Sequence, residues 1–444
     1  MGNDFLKEDI KKRPVNRGKI IKKTLITIAM AVIFGVVASL MILVLEPFLK
    51  RITTGYDQPA PDTVSLPEEE MSPEEMLSEY MMQESALAEM MEEEETAAES
   101  EPVDIPLSED QISAILSRLK IDATKYRQMM ISMSNYAREL GDYAVTITAV
   151  KSSVDWLNSV NDSSNVTSGI VVAENNVELL ILADSAPIKN ADSLTMSLRN
   201  GLTFPAYIKD IDDITGLAVI GVSMELVPED FDVASVIAPL GSSSSIYTGM
   251  GVVAIGSPEG VPGSIGYGMI NTPRTMVSYV DTYLYSYETD ILASKNSSGV
   301  IFNMQGQVVG IITNKETGTN GNVVVVAYGV TELKSLIEKM SNGQKISYLG
   351  ISGTNVTSEA NRELGVPMGA FVTGTEMDSP AMLAGVQVGD IIVGINDTNI
   401  GSFADYVSAL QKRTPEEQIT LKIMRKSVDE YVTIDIPLTI AARE

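Results

Sequence analysis

The 444-residue chain contains no cysteine and no histidine. Without cysteine it can form no disulfide, no thiolate nucleophile and no cysteine-based zinc or iron–sulfur site. Without histidine it lacks the commonest general base and the commonest metal ligand. Composition alone therefore excludes any mechanism in which a histidine activates a serine. The folded domains must also be stabilised by core packing rather than by disulfides.

Basic residues are scarce relative to acidic ones. Lys and Arg total 32 against 59 Asp and Glu, which gives a net charge of −27. Because nucleic-acid binding needs Lys and Arg to neutralise phosphates, we expect no nucleic-acid partner. No segment has the ligand spacing of an EF-hand calcium loop, and we expect neither a metal nor another cofactor. The length suggests two or three domains.

Charged residues are absent from residues 24–45, a run that is long enough to cross a bilayer as one helix. A strongly basic stretch precedes this run, and only Lys50 and Arg51 follow it closely. Since the more basic flank stays in the cytoplasm, we predict a cytoplasmic tail over 1–23, a single transmembrane helix over 24–45 and extracytoplasmic domains after it. The alternative is a cleaved signal peptide, which the length of the run and the lack of an Ala-x-Ala-like site disfavour.

An acidic segment follows the apolar run. Residues 67–101 carry fourteen Glu and no Lys or Arg. Such blocks are usually solvated and poorly ordered, so we interpret residues 46–106 as a Glu- and Met-rich linker or stalk. A short self-associating helix is the alternative, because apolar and uncharged residues follow one another at four- and three-residue steps. These residues are Met76, Tyr80, Gln83, Leu87 and Met90.

The pattern of the chain changes near residue 141. Apolar residues at three- and four-residue steps predict a helical lead-in over 107–140. From 141 to about 340, short apolar runs such as 179–182 and 323–326 alternate with turn residues. Many short strands separated by turns predict an all-β barrel or sandwich.

Four strings of residues occur in an order that is typical of one protein family. They are Thr167-Ser-Gly-Ile-Val-Val, Asp213-Ile-Thr-Gly-Leu-Ala-Val, Val252-Val-Ala-Ile-Gly-Ser-Pro and Ser297-Ser-Gly-Val-Ile-Phe-Asn. The series resembles the HtrA/Deg family of trypsin-like serine proteases, over about residues 140–440. The resemblance implies a mainly β protein, with a trypsin-like double β-barrel of two six-stranded barrels over 141–340 and a PDZ domain (α+β) behind it. It also implies a homo-oligomer, a trimer.

The family's catalytic residues map onto three positions of this sequence. Ser297 occupies the nucleophile position, whereas Ala186 and Gly216 stand where the family has its histidine and aspartate. A serine hydroxyl is a poor nucleophile without a base, and the base needs a carboxylate to orient it. Lys295 also replaces a glycine in the loop that aims backbone N–H groups at the oxyanion. The resemblance therefore predicts a protease fold with a degenerate triad.

A lysine could in principle replace the histidine, as in Ser-Lys enzymes. The candidates are Lys189 and Lys295, which lie close in sequence to Ala186 and Ser297. A lysine base needs burial to lower its pKa, and neither neighbourhood is clearly apolar.

The most specific match lies in the last hundred residues. The string at 379–396, from Ser379-Pro-Ala to Ile395-Asn, closely resembles the PDZ domain of the family, and we assign this domain to 346–440. By the same resemblance, Tyr348, Leu349, Gly350 and Ile351 form the loop that binds a peptide carboxylate. A peptide end would add as a strand to the sheet edge, with its carboxylate on these backbone amides. The alternative is that Gly350 only marks a turn and the groove is occupied by the chain itself.

Three functions follow from these features. The first is a membrane-anchored, proteolytically inactive HtrA-like protein that binds peptide C-termini or unfolded segments in envelope quality control, or that regulates an active relative. The second is an active endopeptidase that uses Ser297 with a base other than histidine. The third is a scaffold that recruits partners through the PDZ groove alone. The anchor and the lack of cysteine fit an exported bacterial protein.

Overall fold

The computed structural model describes residues 61–67, 123–154, 160–272, 274–315, 323–428 and 430–443. The cytoplasmic tail and the transmembrane helix predicted from the sequence lie outside this part of the chain. Within it, no helix is both long enough and apolar enough to cross a membrane.

The first β-layer is a closed six-stranded barrel with the strand order β1-β2-β3-β6-β5-β4. A helix, α1 (Ala123–Leu140), precedes it and accounts for the described part of the predicted lead-in. The barrel strands are β1 Ala144–Val154, β2 Val160–Glu174, β3 Glu178–Asp184, β4 Ser193–Ser197, β5 Thr203–Asp212 and β6 Leu217–Ser223.

Strands β3 and β6 are buried on both faces, which explains their continuous apolar sequences. Alternate side chains of a strand point to opposite faces. Accordingly, Leu179 and Ile181 fill the barrel, whereas Leu180 and Leu182 pack against the second sheet. The two sheets thus share one core, and the ends of β3 and β6 meet the second sheet.

The second layer is a seven-stranded sheet with the order β8-β7-β11-β12-β13-β10-β9. A bridge between Ile270 and Thr289 brings β8 close to β10, so that six strands curl towards a barrel and β9 extends beyond them. Six strands thus form the expected barrel-like part, and β9 is an additional strand of the same sheet. The strands are β7 Gly251–Ser257, β8 Ser264–Met269, β9 Thr275–Tyr279, β10 Thr282–Leu292, β11 Ser298–Phe302, β12 Val308–Ile312 and β13 Val324–Gly329.

Helix α2 (Val330–Ser341) links the second sheet to the C-terminal domain, and buries Leu333, Ile337 and Met340 in the shared core.

The C-terminal domain is an antiparallel sheet with the order β15-β16-β17-β19-β20, in which β15 is an edge strand. Phe403, Tyr406 and Leu410 of helix α5 are fully buried against this sheet. The strands are β14 Ser347–Tyr348, β15 Ile351–Asn355, β16 Ala370–Thr375, β17 Ile391–Ile395, β18 Thr398–Asn399, β19 Gln418–Lys426, β20 Tyr431–Thr439 and β21 Ala441–Ala442. The helices are α3 Ser358–Leu364, α4 Pro380–Ala384 and α5 Phe403–Gln411.

Residues 61–67 pack against α2, although the sequence placed them in the linker. Val64 and Leu66 are buried, and the Asn342 side chain both donates to and accepts from the backbone of Val64 at 2.9 Å. The interpretation of 46–106 as a solvated linker is therefore wrong for this segment, where alternating apolar residues find a hydrophobic surface.

Candidate functional site

Ala186 and Gly216 lie side by side at the ends of two paired strands. Strand β3 pairs with β6 up to Asp184 and Leu217. The turn after β3 therefore meets the turn before β6, and Ser185 N–H donates to the Gly216 carbonyl at 2.8 Å. Ala186 and Gly216 both line a cavity of about 310 Å³ between the two sheets. The structure thus brings together Ala186 and Gly216, the two positions that the resemblance aligned with the histidine and the aspartate.

Gly216 adopts a backbone conformation that disfavours other residues. Its φ is +78°, and a Cβ built there would lie 2.8 Å from Cε of Lys315. Left-handed backbone costs L-residues about 1–2 kcal/mol. An aspartate at this position would therefore be strained and would displace the Lys315 side chain.

Ser297 is buried, and its hydroxyl is held by backbone groups. The Ser297 Oγ accepts from the Ser294 N–H at 2.8 Å and lies within hydrogen-bond distance of the Ser294 and Pro258 carbonyls, at 2.8 and 2.5 Å. A hydroxyl has one proton, so it can donate to only one carbonyl at a time. Ser297 is not among the residues that line the cavity of Ala186 and Gly216.

The loop that carries Ser297 forms a tight turn that uses its own amides. Ser297 N–H donates to the Ser294 carbonyl at 3.1 Å, and Asn296 N–H donates to the Ser294 Oγ at 3.2 Å. Lys295 takes an ordinary negative φ. An oxyanion hole needs backbone N–H groups that converge on an external oxygen. The Ser297 and Asn296 amides donate within the loop instead.

Neither candidate lysine reaches the serine. Lys189 Nζ is bound to the Asp213 carboxylate, with Nζ–Oδ1 at 2.6 Å, and the Lys295 side chain is exposed. Lys315, also near the cavity, donates to the Asp213 and Ile214 carbonyls. Among the residues that the structure describes, the hydrogen bonds of Ser297 Oγ involve no ionisable side chain.

The predicted carboxylate-binding loop does bind a carboxylate, and that carboxylate belongs to the chain itself. The Leu349 and Gly350 amides donate to Asp281 Oδ2 at 2.7 and 2.6 Å, and the Ile351 amide donates to Asp281 Oδ1 at 3.1 Å. The Tyr406 hydroxyl of α5 donates to Asp281 Oδ1 at 2.5 Å. In this structure the three amides of the carboxylate-binding loop are therefore occupied by an internal side chain.

The geometry of this loop requires glycine at its centre. Gly350 has a φ of +80°, and a Cβ there would lie 2.3 Å from Cβ of Ser379. This conformation lets consecutive amides point at one anion, as in a backbone nest. Burial raises the pKa of the Asp281 carboxyl, while the Tyr406 hydroxyl and the three amides act in the opposite direction.

Tyr348, the fourth predicted residue, takes a different place. It pairs with Ala441 in the short β14–β21 sheet, and its side chain lines a separate cavity of about 570 Å³. Glu376, Asp378 and Arg443 also line this cavity. Tyr348 is thus at the border of the carboxylate loop and not one of its three donors to Asp281.

Asp281 could not be identified from the sequence. It lies 68 to 70 residues before the amides that it contacts, in the two-residue turn between β9 and β10. Its φ of +47° is a turn conformation that Asp tolerates better than most residues. Only the packing of the two domains brings this turn to the loop.

Comparisons with known proteins agree with this architecture. The model of a trypsin-like peptidase domain matches residues 167–311, and that of a PDZ domain matches residues 371–425. A probable periplasmic serine endoprotease, DegP-like, of Halomonas elongata is 26% identical over 276 residues, which are 61% of this chain and 56% of that protein. Serine protease Do-like HtrB of Bacillus subtilis is 27% identical over 279 residues, 58% of this chain and 59% of that protein. The chain therefore aligns with little more than half the length of these relatives.

Solved structures share the fold at lower identity. The HtrA-type protease AlgW with a decapeptide is 20% identical, covers 70% of this chain and 99% of its own, and has a TM-score of 0.51. AlgW with a tripeptide has a TM-score of 0.52. These matches show that about 70% of this chain has the fold of these HtrA-type proteases.

Proposed function

The chain belongs to the HtrA/Deg family of trypsin-like proteases with a PDZ domain, and from this premise we propose that it is a non-catalytic member that binds peptides. Its binding site is the PDZ groove, and its ligands are peptide C-termini or unfolded protein segments. Envelope quality control, or regulation of an active relative, is the role that this activity would serve.

The observation that carries the loss of catalysis is the environment of Ser297. Its hydroxyl is enclosed by the Ser294 and Pro258 backbone, and the sequence contains no histidine that could deprotonate it. Ala186 and Gly216 provide neither a base nor a carboxylate. Lys189, the candidate replacement base, is engaged by Asp213. These contacts argue against the alternative of an active enzyme with a lysine base.

The observation that supports peptide binding is the set of amides at 349–351. They already hold a carboxylate with the donor arrangement that a peptide terminus would require. The solved AlgW structures named above contain a decapeptide and a tripeptide. A scaffold function, in which the PDZ groove alone recruits partners, would use the same site.

A cleavage and labelling experiment tests the loss of catalysis. Purified chain is incubated with unfolded casein and, separately, with a fluorophosphonate probe, with the HtrA-type protease AlgW as the active control. We expect neither casein fragments nor labelled chain above the background of a Ser297→Ala variant. Labelling that disappears in Ser297→Ala would disprove the proposal.

We also propose that residues 24–45 anchor the chain in the cell membrane, with residues 1–23 in the cytoplasm and the folded domains outside, and that the chain forms homotrimers. The charge asymmetry around 24–45 supports the orientation, and the family supports the trimer. Protease added to intact spheroplasts should degrade the folded domains. Analytical ultracentrifugation of detergent-solubilised chain should give the mass of three copies.

A further inference from the structure

We propose that the β9–β10 hairpin is an internal ligand of the PDZ groove, and that external peptides bind there only by displacing Asp281. This inference rests on the proposed peptide-binding function and adds its regulation. The hairpin belongs to the protease-like domain. A peptide that binds in the groove would therefore have to replace a contact between the two domains.

The side chain of Asp281 stands in for a terminal carboxylate. Its two oxygens accept from the three consecutive amides of Leu349, Gly350 and Ile351 and from the Tyr406 hydroxyl. Asp281 is 1% exposed, so these bonds are shielded from water. Hydrogen bonds to a charged group are about twice as strong as neutral ones. An incoming carboxylate cannot use these amides while Asp281 holds them.

The backbone of the hairpin also mimics an added strand. Asp281 N–H donates to the Ile351 carbonyl at 2.8 Å, which is the first main-chain bond along β15, the edge strand of the PDZ sheet. Further along the same edge, the Asn355 amide group lies 3.5 Å from Sδ of Met276 in β9. The hairpin thus lies where a peptide would extend the sheet.

Side-chain packing holds the hairpin in place. Tyr283, in β10, packs against the hydrophobic core of the PDZ domain and lines a small cavity with Val407 of α5. Arg443 donates to the Thr282 Oγ1 at 2.9 Å and to the carbonyls of Val280 and Asp281 at 3.4 and 3.3 Å. Arg443 therefore fixes the turn that presents the Asp281 carboxylate to the loop.

The test measures competition with defined peptides. The probes are fluorescein-labelled decapeptides that end in Val, Ile, Leu, Phe or Ala, each with a free carboxylate and each as the C-terminal amide. Fluorescence anisotropy gives their Kd for the full-length chain in mild detergent. Four forms are compared: wild type, Asp281→Ala, Asp281→Asn and, as the matched control on the PDZ surface, Asp397→Asn.

We expect Asp281→Ala to bind at least one free-carboxylate peptide about tenfold or more tightly than wild type, because one charge-assisted hydrogen bond accounts for a factor of this size. Asp281→Asn, which keeps the shape and one acceptor oxygen, should be intermediate. Asp397→Asn should match wild type. The amidated peptides should gain nothing, since they cannot supply the carboxylate that replaces Asp281.

Hydrogen exchange provides a readout that needs no peptide. A proteolytic fragment that covers residues 347–352 should exchange faster in Asp281→Ala than in wild type, while circular dichroism shows that the variant is folded. If Asp281→Asn is folded and Asp281→Ala is not, peptide affinity and hydrogen exchange are compared between wild type and Asp281→Asn.

The outcomes separate the two proposals. Equal affinities for wild type and Asp281→Ala, with measurable binding in both, would overturn the internal ligand and leave peptide binding intact. Unchanged exchange at 347–352 in the folded variant would overturn it as well. If no free-carboxylate peptide binds any form although exchange increases in Asp281→Ala, the proposed peptide-binding function fails, and the competition fails with it.

Discussion

Gly216 shows how the backbone conformation of a single position can disfavour an aspartate. An aspartate at this position would have to adopt the left-handed backbone of Gly216 and displace Lys315, which donates to the Asp213 and Ile214 carbonyls. The Ser297 hydroxyl would still face the Ser294 and Pro258 backbone. An aspartate at Gly216 would by itself change none of these hydrogen bonds of the Ser297 hydroxyl.

The cost of a side chain at Gly216 can be measured against a matched glycine of the same barrel. Gly201 also has a positive φ, of +90°, but a Cβ there meets nothing within 4 Å. Both Gly216→Ala and Gly201→Ala should lose about 1–2 kcal/mol from left-handed strain. We expect Gly216→Ala to lose about 0.5–1 kcal/mol more, because the Lys315 hydrogen bonds must move. Urea unfolding gives the free energy of unfolding of both variants. Equal losses would show that the Lys315 side chain can move without a loss of stability.

The family resemblance predicted that Ala186 and Gly216 lie at one site, but it could not give the orientation of the Ser297 hydroxyl. In the structure Ala186 follows β3 and Gly216 precedes β6, and the pairing of these two strands accounts for their proximity. The direction of the Ser297 hydroxyl depends on Pro258, which is 39 residues away in another loop. The occupation of 349–351 by Asp281 depends on domain packing, which no local propensity encodes.

At the scale of the secondary-structure elements, α2 supports three parts of the molecule. Its apolar face fills the core that the two sheets share, Lys339 Nζ reaches Gln411 of α5, and Asn342 and Glu338 bind the backbone of residues 61–67. Residues 61–67 are thus attached to the helix that leads into the PDZ domain. The partners of its polar residues lie far away in the sequence and could be found only in the structure.

The attachment of residues 61–67 can be weakened without disturbing the core. Asn342→Ala removes both hydrogen bonds to Val64 and leaves the amide and the carbonyl of a buried residue without these partners, so we expect this segment to lose about 1–3 kcal/mol of local stability. Exchange of the amides of Val64 and Leu66 should accelerate, with little change in the remainder of the chain. Gln344→Ala, at an exposed site two residues away, is the control. If the Val64 and Leu66 amides exchange no faster in Asn342→Ala than in Gln344→Ala, apolar burial alone holds the segment.

At the scale of the whole molecule, Arg443 joins the two domains. Its guanidinium forms an ion pair with Asp212 of the first barrel at 2.9 Å, with the two side chains only 8% and 0% exposed, and it also binds the β9–β10 turn. Asp212 in turn accepts from the Thr215 amide and hydroxyl in the turn that leads to Gly216. One buried network thus connects Arg443, the β9–β10 turn and the turn that leads to Gly216.

Removing one partner of this network should cost more than removing both charges. Arg443→Met leaves the Asp212 carboxylate buried without its ion-pair partner, and we expect a loss of about 3–5 kcal/mol in the free energy of unfolding. Asp212→Asn in the Arg443→Met background should recover part of that loss, because a neutral amide is cheaper to bury than an unpaired charge. Arg362→Met, which breaks an exposed ion pair with Glu363, should change stability little.

If Arg443 couples the domains, Arg443→Met should unfold in two separate transitions in differential scanning calorimetry. A single transition with an unchanged midpoint would mean that apolar packing around Tyr283, rather than the ion pair, holds the domains together.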